Sequence, residues 1–80
     1  MNVGEAVRLR IIELCKERQL TINKLSTICG ITQSTLSNII SKRNNSATIS
    51  TIKKICDGLE ITLLDFFGSE LFENLEQEIQ

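Results

Sequence analysis

Apolar residues recur at helical spacing along most of this chain. Val7, Ile11, Leu14 and Cys15 stand at i, i+4, i+7 and i+8, one stripe of a first helix from about Val3 to Arg18. Asn2 and Glu5 have the spacing of a capping box at its start, and Arg8, Arg10, Lys16 and Arg18 are expected on its wet side. A second helix follows Thr21, with Leu25, Ile28 and Cys29 as its apolar face. Gly30 ends it, because only glycine enters the left-handed region without a side-chain penalty, and Ile31 then drops into the core. A third helix follows Thr32 and runs to about Ser41, with Leu36, Ile39 and Ile40 inward. Residues 41 to 47, SKRNNSA, read as a polar loop. A fourth helix follows Thr48, with Ile49, Ile52, Ile55, Cys56 and Leu59 as its core face. A fifth follows Thr62, has Asp65 to complete a capping box, and is expected to bury Leu64 and Phe67 before Gly68 closes it. In the tail, Leu71, Phe72, Leu75 and Ile79 fall at i, i+1, i+4 and i+8 with acids between them, the pattern of a sixth helix.

The pattern predicts an all-α fold, a compact five-helix domain over 1–68 with an acidic amphipathic tail over 69–80. Its third helix shows solvent an unusual strip: Gln33, Ser34, Ser37 and Asn38. Serine and asparagine are indifferent helix formers, and a solvated face is normally filled with Glu, Lys or Gln. Short, uncharged, hydrogen-bonding side chains suit a helix that approaches base edges. Two short helices joined by a tight turn, the second exposing such a strip, are organised as a helix-turn-helix reader of duplex DNA.

Composition narrows the choice. Eighty residues make one domain, too small for a large active-site cavity. There is no histidine, and the acids show no pairing that would serve acid–base chemistry, so no catalytic residue and no enzyme activity are assigned. Three cysteines, Cys15, Cys29 and Cys56, lack CxxC spacing and sit at apolar helical positions; they read as small buried hydrophobes, with no metal site and no cofactor. No run is long enough to cross a bilayer and the start lacks a signal-peptide pattern, so a cytoplasmic protein is expected. The net charge of −1 looks wrong for a DNA binder, but it is unevenly spread. Residues 1–54 hold all nine Lys and Arg against three acids, +6, whereas residues 55–80 hold seven acids and no base, −7. The front of the chain can face phosphate while the tail faces away.

Two blocks of residues resemble a known family. Leu20-Thr21, Leu25-Ser26, Gly30-Ile31-Thr32, Ser34-Thr35-Leu36-Ser37 and Ile39 are similar to the centre of the phage-repressor type of helix-turn-helix domain, the Xre/Cro family. Ile49, Ile52, Ile55, Leu59-Glu60-Ile61-Thr62 and Phe66-Phe67 are similar to its end. The resemblance covers about residues 4 to 67. Ser26 replaces a common alanine, Ile22 a common glutamine, and Glu60 a common glycine. Cys15 and Ile40 stand where many members place an arginine and a glutamate that pair across the core, so these two are expected to touch.

The resemblance implies a lambda-repressor-like fold and a sequence-specific transcriptional regulator of repressor type, reading the major groove of double-stranded DNA with its third helix. It puts Gln33, Ser34, Ser37 and Asn38 at base edges, where a glutamine or asparagine amide can hold adenine through N6 and N7 together. Phosphate contacts are expected at helix starts, from Thr21, Asn23, Lys24 and Thr32, and from the loop residues Lys42, Arg43, Asn44, Asn45 and Ser46. Capping alone also accounts for the threonines. Such domains commonly bind palindromic operators as dimers, and the tail stripe Leu71, Phe72, Leu75 and Ile79 fits a homodimer interface as well as it fits a segment folded onto its own core. The alternative function is a protein-interaction module on the same fold, taking a partner regulator or a toxin. No small-molecule or membrane partner is indicated.

Overall fold

Each helix begins where a short polar side chain meets the free amides of its first turn. In a computed structural model that describes residues 1–41 and 47–79, α1 (Val3–Arg18) starts at Asn2, whose Oδ1 accepts from the Glu5 amide at 2.8 Å. α2 (Ile22–Cys29) starts at Thr21 and α3 (Gln33–Ile40) at Thr32. α4 (Ile49–Leu59) starts at Thr48 and α5 (Leu63–Phe67) at Thr62. At every one of these four threonines the side chain accepts from the amide three residues on. Only α5 has a reciprocal box: the Asp65 amide donates to Thr62 Oγ1 at 2.9 Å, and the Thr62 amide donates to Asp65 Oδ2 at 3.1 Å. At the start of α1 the Glu5 carboxylate instead accepts from the Asn2 side-chain amide. No strand occurs among the described residues.

Three helices end in the left-handed conformation: α1 at Gln19 (φ 56°), α2 at Gly30 (φ 67°) and α4 at Glu60 (φ 58°). At Gly30 this is free of side-chain strain; at Gln19 and Glu60 it is not. Glu60 therefore makes the turn that glycine usually makes, with the chain reversing in the same way and the Ile61 amide donating to the Cys56 carbonyl at 2.9 Å.

The core gathers one stripe from every helix. Ile11, Leu25, Leu36, Ile55, Cys56 and Phe66 are its largest fully enclosed side chains. Cys15 lies inside it and Ile40 packs against it from α3. α2 packs against both α4 and α3, and α3 packs in turn against α1, so α4 supports the first helix of the helix-turn-helix pair and α1 the second. At that crossing Gly58 of α4 faces Cys29 so closely that a methyl group placed on it would lie 2.6 Å from Cys29 Sγ.

Four expectations change. Leu64 is 84% exposed, and Phe66 takes the buried place in α5, because the five-residue helix turns its second position outward. Ile49, at the first position of α4, is 65% exposed, and Ile28 is 40% exposed at the edge of α2. Arg10 and Arg18 are not merely wet. Arg10 reaches the last turn of α5, donating from Nε to the Phe66 carbonyl at 2.7 Å and from Nη2 to the Asp65 carbonyl at 2.8 Å. Arg18 donates to the Leu59 carbonyl at 2.6 Å, at the end of α4. Both satisfy helix-end carbonyls that have no partner within their own helix.

The fourth change concerns the tail. The sixth helix shrinks to a single 3₁₀ turn, Glu70–Phe72, opened by Ser69. Phe72 packs onto the core, its ring centroid 4.9 Å from that of Phe67 and 6.2 Å from that of Phe66, completing a cluster of all three aromatic residues. Farther on, the Glu76 amide donates to the Met1 carbonyl at 3.1 Å, and the Glu76 carboxylate pairs with the Met1 ammonium at 3.3 Å. Leu71 and Leu75 are half-buried, while Ile79 stands 80% exposed. Phe72 is thus used within its own chain, while Leu71, Leu75 and Ile79 keep part or most of their surface open.

Candidate nucleic-acid interface

Thr32 begins α3 with its hydroxyl engaged twice, accepting from the Thr35 amide at 3.2 Å and donating to Thr35 Oγ1 at 2.8 Å. The helix it opens turns Leu36 and Ile39 inward, and the same 3.6-residue period sends Gln33, Ser34, Ser37 and Asn38 outward. All four are exposed. Among the described residues none of their side chains makes a hydrogen bond. Nothing described lies over them; the acidic tail docks on the α1 side, at Met1 and the aromatic cluster.

The turn at Gly30 brings the starts of α2 and α3 together. Thr21, Asn23, Lys24, Ser26, Thr27 and Gln33 line one open groove of about 370 Å³. Three of the residues expected at phosphate thus share a concavity with the residue expected to read bases. Thr21 and Thr32 are exposed, and their hydroxyls already cap their helices, leaving the remaining first-turn amides of α2 and α3 directed outward. Ser26 and Thr27 donate to the Asn23 carbonyl at 2.7 Å and 3.1 Å, which ties the groove wall to the backbone and keeps Ser26 small and buried where α2 meets its neighbours. Lys42, Arg43, Asn44, Asn45 and Ser46 lie outside the described residues.

The charge of the front half is smaller in effect than its count. Arg10 is committed to α5 and to Glu13, Arg18 to α4, and Lys53 to Asp57 one turn on. Arg8 is half-buried. Lys24 is left as the cation within the groove itself. The sequence did not foretell this use of arginine, since the carbonyls that bind Arg10 lie more than fifty positions away. The three cysteines are buried and unpaired. Burial and the neighbouring Cys15 and Cys56 push the Cys29 thiol up to about 11, and burial also raises Cys15 and Cys56. Their chemistry is that of core side chains. Among the described residues no group of acids and cysteines is arranged to hold a metal, and no helix is long and apolar enough to cross a membrane.

Residues 10–70 match the Cro/C1-type HTH DNA-binding domain. The chain belongs to that family. Double-stranded DNA is therefore what a domain of this kind binds, and the resemblance carried by the residues around Gly30 holds for the whole fold. The chain is also similar to a protein of known structure described as prophage Lp1 protein 11, at 36% identity and a TM-score of 0.81, over 94% of this chain and all of the other. No curated protein matches the chain at a significant level.

Proposed function

We propose that this Cro/C1-type domain is a sequence-specific regulator of transcription, of repressor type, that works in the cytoplasm and sets α3 into the major groove of its operator. The observation that carries this is the exposed, uncharged strip Gln33, Ser34, Ser37 and Asn38, beside the groove of α2 that holds Thr21, Asn23 and Lys24. Gln33 is the first residue of α3, the position from which an amide reaches adenine N6 and N7. Asn38 offers the same chemistry farther along the helix, and Ser34 and Ser37 permit close approach. Amides at the starts of α2 and α3, with Thr21, Asn23, Lys24 and Thr32, hold the flanking phosphates; Lys42, Arg43, Asn44, Asn45 and Ser46 extend that hold beyond α3. The protein acts by binding, with no catalytic step. A single recognition helix reads few base pairs, so two copies act on a palindromic site with half-sites about one helical turn apart.

Affinity for random duplex DNA across a salt series tests the reading against a protein-interaction role. A phosphate-holding surface gives a log–log slope of about −0.9 per neutralised phosphate. A chain whose binding to duplex DNA is absent or independent of salt contradicts the proposal.

A further inference from the structure

α1 is apolar on two sides. Ala6, Val7, Ile11, Leu14 and Cys15 face the core. Leu9 and Ile12 do not belong to that stripe; they stand on the other side of the helix, half-buried, with Glu13, Lys16 and Glu17 on the same face at i+4, i+7 and i+8 from Leu9. Leu71 of the 3₁₀ turn flanks them. Together these six residues line an open groove of about 420 Å³, more apolar than polar. A second groove of about 380 Å³, bordered by Met1 and Glu70, adjoins it and shares Glu13 and Leu71. Neither groove includes a residue of α2 or α3, so an occupant here leaves the DNA-facing strip open.

An apolar floor with a charged rim has the anatomy of a protein interface. The rim decides what kind. In a two-fold contact a patch meets its own image, so a rim of one sign would repel itself. This rim carries both signs within one turn: Lys16 stands between Glu13 and Glu17. Glu13 is already held by Arg10, and among the described residues Glu17 has no ion-pair partner, so it is the acid placed to answer the lysine of another copy. We propose that this face of α1, with Leu71 beside it, is where a second copy of the chain docks, with Leu9 and Ile12 at the centre and Lys16 of each copy facing the acids of the other. The proposal rests on the two-copy reading of DNA binding given above and assigns it a surface. Among the residues of the tail stripe, only Leu71 keeps a part in that surface.

Sedimentation of the free protein tests it without DNA. The expected result is a reversible dimer that Ile12→Ser and Lys16→Glu each weaken at least tenfold. The effect of Lys16→Glu should shrink as salt rises, and Glu17→Lys added to Lys16→Glu should recover part of the loss. Lys16 is exposed, so its replacement does not threaten the fold; an unchanged helical circular-dichroism spectrum and a cooperative melt, compared at a concentration where parent and variants are all monomeric, check this for every variant. A wild-type chain that stays monomeric up to roughly millimolar concentration overturns the proposal and leaves the groove to a different protein. A dimer indifferent to Ile12→Ser, Leu71→Ser and Lys16→Glu overturns it too. Either outcome leaves the salt-dependent binding to random duplex intact, so failure here is separable from failure of the DNA-binding reading.

Discussion

Gly58 is the position at which the support of α2 by α4 can be tested with one methyl group. It lies inside α4, where replacing glycine by alanine ordinarily stabilises a helix by about 0.8–1 kcal/mol. Here the added carbon would stand 2.6 Å from Cys29 Sγ, 3.1 Å from Cys29 Cα and 3.1 Å from Ile28 Cγ2. A thiol could rotate away, but a Cα moves only if α2 moves. Overpacking of this kind costs about 1–3 kcal/mol. The cost exceeds the propensity gain, and Gly58→Ala should lose about 1 kcal/mol net, which for a domain of this size lowers Tm by about 4–8 °C. Because α2 carries Thr21, Asn23 and Lys24, its displacement should also weaken DNA binding by more than the loss of folded protein explains. Thermal unfolding followed by circular dichroism gives the first quantity, and titration of a fluorescent duplex well below Tm gives the second. Adding Cys29→Ala should recover part of the stability, since it removes the sulfur though not the Cα. A Gly58→Ala protein that melts higher than the parent and binds DNA equally well would refute the close crossing of α2 and α4.

Other positions carry independent expectations. Arg10→Ala removes two hydrogen bonds to the end of α5 and its ion pair with Glu13, and should cost about 1–2 kcal/mol in chemical denaturation; an unchanged midpoint would mean the guanidinium is dispensable. Glu60→Gly relieves a left-handed residue and should raise stability by up to about 1 kcal/mol, a gain read as a higher Tm. The thiols are buried and shifted upward, so the folded protein should resist a water-soluble thiol reagent at neutral pH, whereas the unfolded chain should react at Cys15, Cys29 and Cys56. Hydrogen bonds from Thr62 hold the Asp65 carboxyl below its ordinary range. Its contribution is thus complete above the unfolded-state value and is lost as pH falls through the folded one, and Asp65→Asn should flatten the acid side of the stability profile.

Much of this architecture is legible in the amino-acid pattern because its determinants are local. Each helix start is a polar side chain bonded three residues ahead, and Thr21, Thr32, Thr48 and Thr62 all announce it in sequence. The strip on α3 follows from the helical period once Leu36 and Ile39 are placed inside. What escaped the pattern depends on distant partners. Arg10 looks like surface charge until α5 returns beside it, and Gly58 looks like a tolerated helix glycine until Cys29 approaches. The tail misleads for a related reason. Its apolar spacing is helical, but Phe72 gains more by joining Phe66 and Phe67 than an isolated short helix gains by forming. Leu9 and Ile12 carry no distinct signal in the pattern, because the stripe on one face of α1 already accounts for the helix.

The role assigned to the strip on α3 is tested most directly by selecting bound fragments from a random oligonucleotide pool, then comparing the protein with its Gln33→Ala variant on the selected site and on random duplex. The account predicts a palindromic consensus, with cognate affinity falling about tenfold in the variant while random-duplex affinity holds, within the 1–3 kcal/mol that a bidentate base contact provides. No consensus, or equal cognate binding by the variant, would contradict it.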